Sequence, residues 1–257
     1  MILHKSVPHY PWTQPALARL PGVQPLQGRD FLRRDEVYGA QMALRDQLIA
    51  QKTAAVHALL PQAQDAASEL FDLICGVLAD DLGYRIGQDQ ALRPDGVTVP
   101  LDKTNPLLTL GRLVQEDLCI LQHNGAEHCL TGAILCFPAS WTLREKLGHP
   151  MGRIHLPVDS YTPEMAQRVQ RMLDKVRPDQ GLWRMNYLTY ADPDLHHPRP
   201  EKAPRDTSAA VEKPYLRCER QCLIRLPKSD AVVFTIHSYV MRLADLPVDA
   251  RTSLPQH

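Results

Sequence analysis

Residues 215–240 read YLRCERQCLIRLPKSDAVVFTIHSYV. Two runs of apolar and β-branched residues, Tyr215–Leu226 and Ala231–Val240, flank Lys228-Ser229-Asp230, whose composition marks a tight turn. The stretch predicts two long antiparallel strands. Alternation puts Arg217, Glu219 and Gln221 on one face of the first strand and Cys218, Arg220 and Cys222 on the other. A strand face bearing Arg, Glu and Gln is costly inside a sheet unless those groups are paired or serve a pocket. The alternative is a solvated face, since Arg220 and Arg225 show that charge is scattered along this strand.

Working upstream, Leu182–Tyr190 is a third strand, with Arg184 and Asn186 alternating against Trp183, Met185 and Tyr187. Either set could face a pocket. Asp117–His123 and Cys129–Pro138 form a hairpin signalled by Asn124-Gly125. Between hairpin and third strand lie a short helix at Leu143–Leu147, an irregular stretch at His149–Thr162 and a helix at Pro163–Val176. The proline-rich segment Ala191–Pro214 continues neither flanking strand and reads as a mobile flap or external loop. Two strands, helices, then three strands predict an α+β fold: an antiparallel sheet with helices over one face, in the order of a PAS domain.

The N-terminal part reads differently. Residues 1–30 form an extended arm, Arg33–Leu60 a helix, and Gln64–Leu82 a second helix with a stripe of Leu70, Leu73, Ile74, Val77 and Leu78, capped by Gly83. The organisation expected is one structural domain. Residues 1–100 supply the arm and helices packing on the core, and residues 101–245 the PAS-like core.

Charge and composition restrict the function. The 257 residues carry 29 Lys plus Arg and 29 Asp plus Glu, which argues against a nucleic-acid partner. The longest apolar runs, such as Ala133–Phe137, are far shorter than the ~20 residues of a membrane span. The first residues lack the apolar core of a secretory signal, so a cytoplasmic location with reduced thiols is expected. Cys75, Cys119, Cys129, Cys136, Cys218 and Cys222 show neither C-x-x-C nor iron–sulfur spacing. Cys218 and Cys222, on one strand, would lie roughly 13 Å apart, too far for a disulfide. His4, His9, His196, His197 and His257 read as solvated, leaving His57, His123, His128, His149, His155 and His237 as candidates. No paired-histidine zinc motif is present, but one imidazole suffices to hold a prefabricated cofactor.

Four blocks together resemble the haem-dependent oxidative N-demethylase family, specifically its haem-carrying alpha subunit. They are NPLLTLGRLVQEDLCIL (105–121), CFPASWTLREKLGHPMGRIHLPVDSY (136–161), LWRMNYLTY (182–190) and LRCERQCLIRLPKSDAVVFTIHSYV (216–240). The resemblance covers about residues 30–245 and is strongest after residue 105. It implies a PAS-like domain that binds haem b and, with O2, removes a methyl group from a small secondary amine such as dimethylamine, releasing formaldehyde. It further implies electrons from NADPH through partner subunits, a reductase carrying flavin and a 2Fe-2S centre and a folate-binding subunit. No nucleic-acid or membrane partner is implied.

The same resemblance points to His155, between Gly152 and Pro157, as the metal ligand and haem-binding residue, with His149 as its rival. Arg217 would polarise iron-bound O2 or hold a propionate, Glu219 would bind a protonated amine or fix that arginine, and Asn186 completes the catalytic set. Arg184, Tyr187 and Gln221 are the other cofactor-binding candidates. Glu69, beside the stripe of the second helix, would reach a pocket or face water. His237 reads as a satisfied sheet histidine, at a position where the family is expected to carry Arg. A non-enzymatic haem PAS sensor and a haem-free binding module are the competing readings.

Overall fold

The computed structural model describes residues 1–18, 21–81, 83–158, 161–203 and 211–255. Five long strands form the main sheet: β1 (Asp117–His123), β2 (His128–Ile134), β3 (Leu182–Tyr190), β4 (Tyr215–Arg225) and β5 (Val232–Arg242). All pair antiparallel in the spatial order β3-β4-β5-β1-β2. The last strand therefore zips to the first, and one long crossover joins the β1–β2 hairpin to the β3–β4–β5 meander. Short strands Gln24–Pro25 and His57–Leu59 extend the sheet beside β3 and β2, where they cover otherwise unpaired edges. A separate small sheet is made by Arg85–Ile86, Gln90–Leu92 and Thr98–Pro100.

The helices that matter for the site are α1 (Tyr38–Gln51), α2 (Gln64–Ala79), α3 (Pro106–Gly111), α4 (Leu143–Lys146), α5 (Met151–Ile154) and α6 (Pro163–Lys175). Strand alternation distributes them. Leu118, Ile120, Val233, Cys222 and Ile224 pack with Met42, Ile49, Leu70, Ile74, Leu107 and Leu110 of α1–α3. Their neighbours Cys119, Leu121, Val232, Ile236 and Leu223 pack with Leu143, Leu173 and Val176 of the crossover. The α+β class holds, but helices cover both faces of the sheet, where the sequence suggested one. The strands in the middle of the sheet thus have two buried sides, apolar over most of their length, with buried polar groups such as Arg217, Glu219 and His237 on β4 and β5.

The N-terminal helices depart from their expected bounds. The predicted helix over Arg33–Leu60 ends at Gln51, and His57–Leu59 becomes a strand paired with Gly132–Ile134. Edge pairing with the sheet outweighs the local helical pattern there. The second helix stops at Ala79, before the predicted cap Gly83; Leu82 lies outside the described residues. Gly83 has another use: a Cβ there would meet the guanidinium of Arg34 at 1.7 Å. The stripe itself is as expected, with Leu70, Ile74 and Leu78 buried.

Buried charge ties layers together. Arg45 of α1 and Asp117 at the start of β1 are fully buried and pair at 2.7 Å. Asp117 also accepts the Cys136 and Phe137 N–H groups at 2.7 and 2.8 Å, while Arg45 donates to the Gly111 and Gln115 carbonyls. Glu69 of α2 neither reaches a pocket nor faces water alone. Its two carboxylate oxygens accept the N–H groups of Lys228 and Ser229, each at 2.7 Å, and so cap the β4–β5 turn. Glu69→Ala is expected to lower stability by about 1 kcal/mol, allowing for the exposure of one of these bonds. An unchanged urea midpoint would contradict that role.

Candidate haem and amine site

The strand register assembles the predicted polar residues on the sheet face turned toward the crossover. Arg184 is opposite Gln221, Asn186 opposite Glu219, and Glu219 opposite Ser238. With Arg217 they make one polar patch beside the apolar floor of Leu182, Leu223, Phe234 and Ile236. Tyr187 alternates to the other face, where its ring lies 4.7 Å from that of Trp12. The face that sequence left open is therefore chosen: Arg184 and Asn186 share the patch with β4, and the Tyr187 ring does not.

Arg217 is buried and largely committed to the backbone. It donates to the carbonyl oxygens of Leu195, at 2.9 Å, and Phe137, and to Ser238 Oγ at 3.2 Å. The same guanidinium pairs with Glu219 Oε1 at 3.1 Å, while its Nε is buried without a hydrogen-bond partner. Glu219 Oε2 accepts from Gln221 Nε2 at 3.0 Å. Arg217 thus holds Glu219, and holds down the chain that roofs the patch. Ala139, Asn186, Tyr187, Leu188, Arg217 and Glu219 line a half-open crevice with no space for a water molecule.

That roof includes part of the segment read as a flap. Leu195 is buried, His196 Nδ1 lies 2.8 Å from the Cys136 carbonyl, and Ser140 N donates to His197 O at 2.9 Å. Glu201 then bridges to the crossover, pairing with Lys146 at 2.5 Å and Arg153 at 3.1 Å. Residues 191–203 are therefore a fixed strap, and 204–210 lie outside the described residues. The sequence offered no signal for this clamp beyond unpaired charge in α4 and α5.

His155 follows α5 and is half-buried. Its Nδ1 is 3.0 Å from the Met151 carbonyl, a geometry that places the proton on Nδ1 and leaves the Nε2 lone pair outward. The ring stacks on Tyr161 with centroids 4.3 Å apart and planes at 17°. Burial lowers its pKa, and the charges of Lys146 and Arg184 add to the effect, so the imidazole is neutral at physiological pH. The side chain of its rival His149 is exposed, and its backbone is engaged with Leu130 N and the Lys146 carbonyl.

Arg184 is the unusual member. Among the described residues it has no hydrogen bond or ion pair, and its Nε is sealed from water without an acceptor. Burial pulls its pKa down, opposed only by the more distant charge of Glu219. A half-buried guanidinium without a counter-ion is a binding group for an anion.

The sequence model of one protein family, described as haem-dependent oxidative N-demethylase, alpha subunit-like, matches residues 22–254. The chain belongs to that family. The family's name associates it with haem and with oxidative demethylation, and two of the residues present are of the types that suit a haem. A neutral imidazole with a free Nε2 is able to ligate iron, and an arginine lacking a counter-ion suits a propionate. Apolar side chains nearby in sequence are bare: Leu156 and Val158, just after His155, and Leu188, on the same strand as Arg184, are 72%, 41% and 43% exposed. A group the size of a porphyrin needs a site in the usual range of about 300–1,000 Å³. The crevice at Asn186 and Glu219 is far smaller and holds no water-sized space.

Proposed function

We propose that this chain binds haem b in a PAS-like core and acts as the alpha subunit of an oxidative N-demethylase. The substrate would be a small secondary amine such as dimethylamine. The carrying observation is His155, its Nδ1 held by the Met151 carbonyl and its Nε2 free, on the same side of the sheet as the uncompensated Arg184. The PAS-like reading is supported by β5 lying between β4 and β1, with the helical crossover after the second strand.

Bound haem would supply O2 activation and accept the electrons that the reaction needs. His155 would hold the iron through Nε2, and Arg184 would neutralise a propionate. Glu219, fixed by Arg217 and Gln221, would seat the ammonium of the substrate on opening of the crevice beside it. Its Oε2, hydrogen-bonded to Gln221 rather than paired with the arginine, would accept a hydrogen bond from the ammonium. Asn186 would add a neutral hydrogen-bonding group beside it. Exclusion of water by the strap and the Phe137–Ser140 segment strengthens each of these interactions.

Electrons would come from NADPH through a reductase bearing flavin and a 2Fe-2S centre, with a folate-binding subunit nearby, in the cytoplasm. Burial pushes the thiol pKa up at all six free cysteines, which disfavours thiolate ligation here and supports placing the cluster on another chain. Among the described residues no helix is long and apolar enough to cross a membrane.

The test is haem titration followed by turnover. One equivalent of haem is expected to give a Soret band, and dimethylamine with NADPH and a partner reductase is expected to release formaldehyde. No Soret band refutes the haem site; a Soret band without formaldehyde favours the gas- or redox-sensor reading.

A further inference from the structure

The tip of the β1–β2 hairpin carries a separate cluster of imidazole and carboxylate. His123 and His128 are register partners across the hairpin, with ring centroids 5.2 Å apart and nearly perpendicular. Asp174, in the last turn of α6, brings Oδ1 to 3.8 Å from His128 Nδ1. One ligand atom from each of the three residues lies within 4.8 Å of the other two. Nitrogen and oxygen ligands of tetrahedral zinc sit about 2.0–2.2 Å from the metal, hence about 3.3–3.6 Å from each other. Side-chain shifts of about 1 Å close the difference.

Gln170 marks the point on which two of these groups, His128 and Asp174, converge. Its Nε2 donates to His128 Nδ1 at 3.0 Å and to Asp174 Oδ1 at 2.8 Å. One amide nitrogen thus satisfies two lone pairs aimed at a common position, which is the requirement a cation meets with more charge. Histidine and carboxylate together select a transition ion over calcium or magnesium, which prefer all-oxygen sites.

We propose that His123, His128 and Asp174 bind one divalent transition ion of the zinc class, displacing the Gln170 amide and taking water as a fourth ligand. His128 is buried, and its Nδ1 lone pair already accepts from the Gln170 amide. His123 Nδ1 accepts the Gly125 N–H at 3.0 Å, a bond that coordination through this ring would replace or re-orient. The ion would fasten α6 to the hairpin and so stiffen the crossover that bears His155. No sequence motif announces the site, because its ligands come from a cross-strand pair and a helix that follows well downstream.

The experiment uses the full chain, tag removed and treated with chelator, titrated calorimetrically with zinc chloride. Parallel titration with cobalt(II) reads the visible bands of a tetrahedral site. One saturable equivalent is expected, weakened at least tenfold by His123→Ala and by Asp174→Ala. Both side chains are exposed, so these variants should fold, and circular dichroism checks that they do. Absence of a saturable equivalent overturns the proposal. So does an equivalent that survives both substitutions, or one that is lost in His155→Ala instead.

Discussion

His155→Ala is expected to weaken haem binding at least about 100-fold, while His149→Ala leaves it unchanged. The magnitude follows from coordination chemistry: disturbing a group that only orients a metal ligand costs about 10–100-fold, and removing the ligand costs at least the upper end. Geometry distinguishes the two histidines. Nδ1 of His155 is fixed by the Met151 carbonyl and its ring by Tyr161, so Nε2 is preoriented, whereas the His149 side chain is exposed. Haem titration read at the Soret band measures the effect independently of turnover. Exogenous imidazole should restore a histidine-like spectrum to His155→Gly. Arg184→Met should weaken binding by about 10–30-fold, the value of one desolvated charge pair worth about 2 kcal/mol. If His155→Ala binds haem as the wild type does, the iron ligand lies elsewhere and the site assigned to the crossover is wrong.

Period-two alternation in Tyr215–Leu226 and Leu182–Tyr190 was enough to group Arg217 with Glu219 and Gln221, and Arg184 with Asn186. It could not say which group of β3 joins which group of β4, because that depends on register between strands. The Asn186–Glu219 pairing supplies it and sends the Tyr187 ring to the other face. The role of Arg217 was hidden for a different reason. Its partners are backbone carbonyls of Phe137 and Leu195, which carry no sequence signature. The apparent loop 191–203 is held by the same bonds, so its proline content reported irregular backbone and not freedom. Helix bounds in the first part failed where the sheet edge recruits His57–Leu59. Long-range backbone pairing decides such cases, and local periodicity does not contain it.

The N-terminal arm presents the same limit in another form. His4 read as a solvated terminal residue, yet it is buried, with Nε2 2.8 Å from Asp35 Oδ2 and Nδ1 accepting the Val240 N–H at 3.1 Å. The same Asp35 oxygen meets His237 Nε2 at 2.9 Å, and His237 Nδ1 meets Glu116 Oε1 at 2.8 Å. His237 is thus satisfied, as expected of a sheet histidine, but by two carboxylates. It joins the arm to the middle of the sheet on the face opposite Arg217 and Glu219.

This network makes stability depend on pH. Burial pulls the His237 imidazolium down, but Glu116 and Asp35 outweigh it and raise the pKa from 6.5 to about 9. Because the folded state holds this proton more tightly, the contribution is complete below about pH 6.5 and is lost as pH rises through 9. A rise of that size corresponds to about 3 kcal/mol. Asp35 behaves conversely: burial would raise its pKa, but the bonds from His237 and His4 hold it well below the usual carboxylate range. Its contribution is present above about pH 4 and fades on acidification. Burial-lowered His57 and His128 also favour the folded state as pH rises toward neutrality. Subtracting the His237→Gln variant from the wild type isolates the alkaline limb, since groups that titrate alike in both cancel. Urea unfolding is therefore expected to show a stability difference that shrinks by about 3 kcal/mol between about pH 6 and pH 10. A difference that stays constant over that range would mean that His237 is neutral between its two carboxylates, and that the arm is held by packing alone.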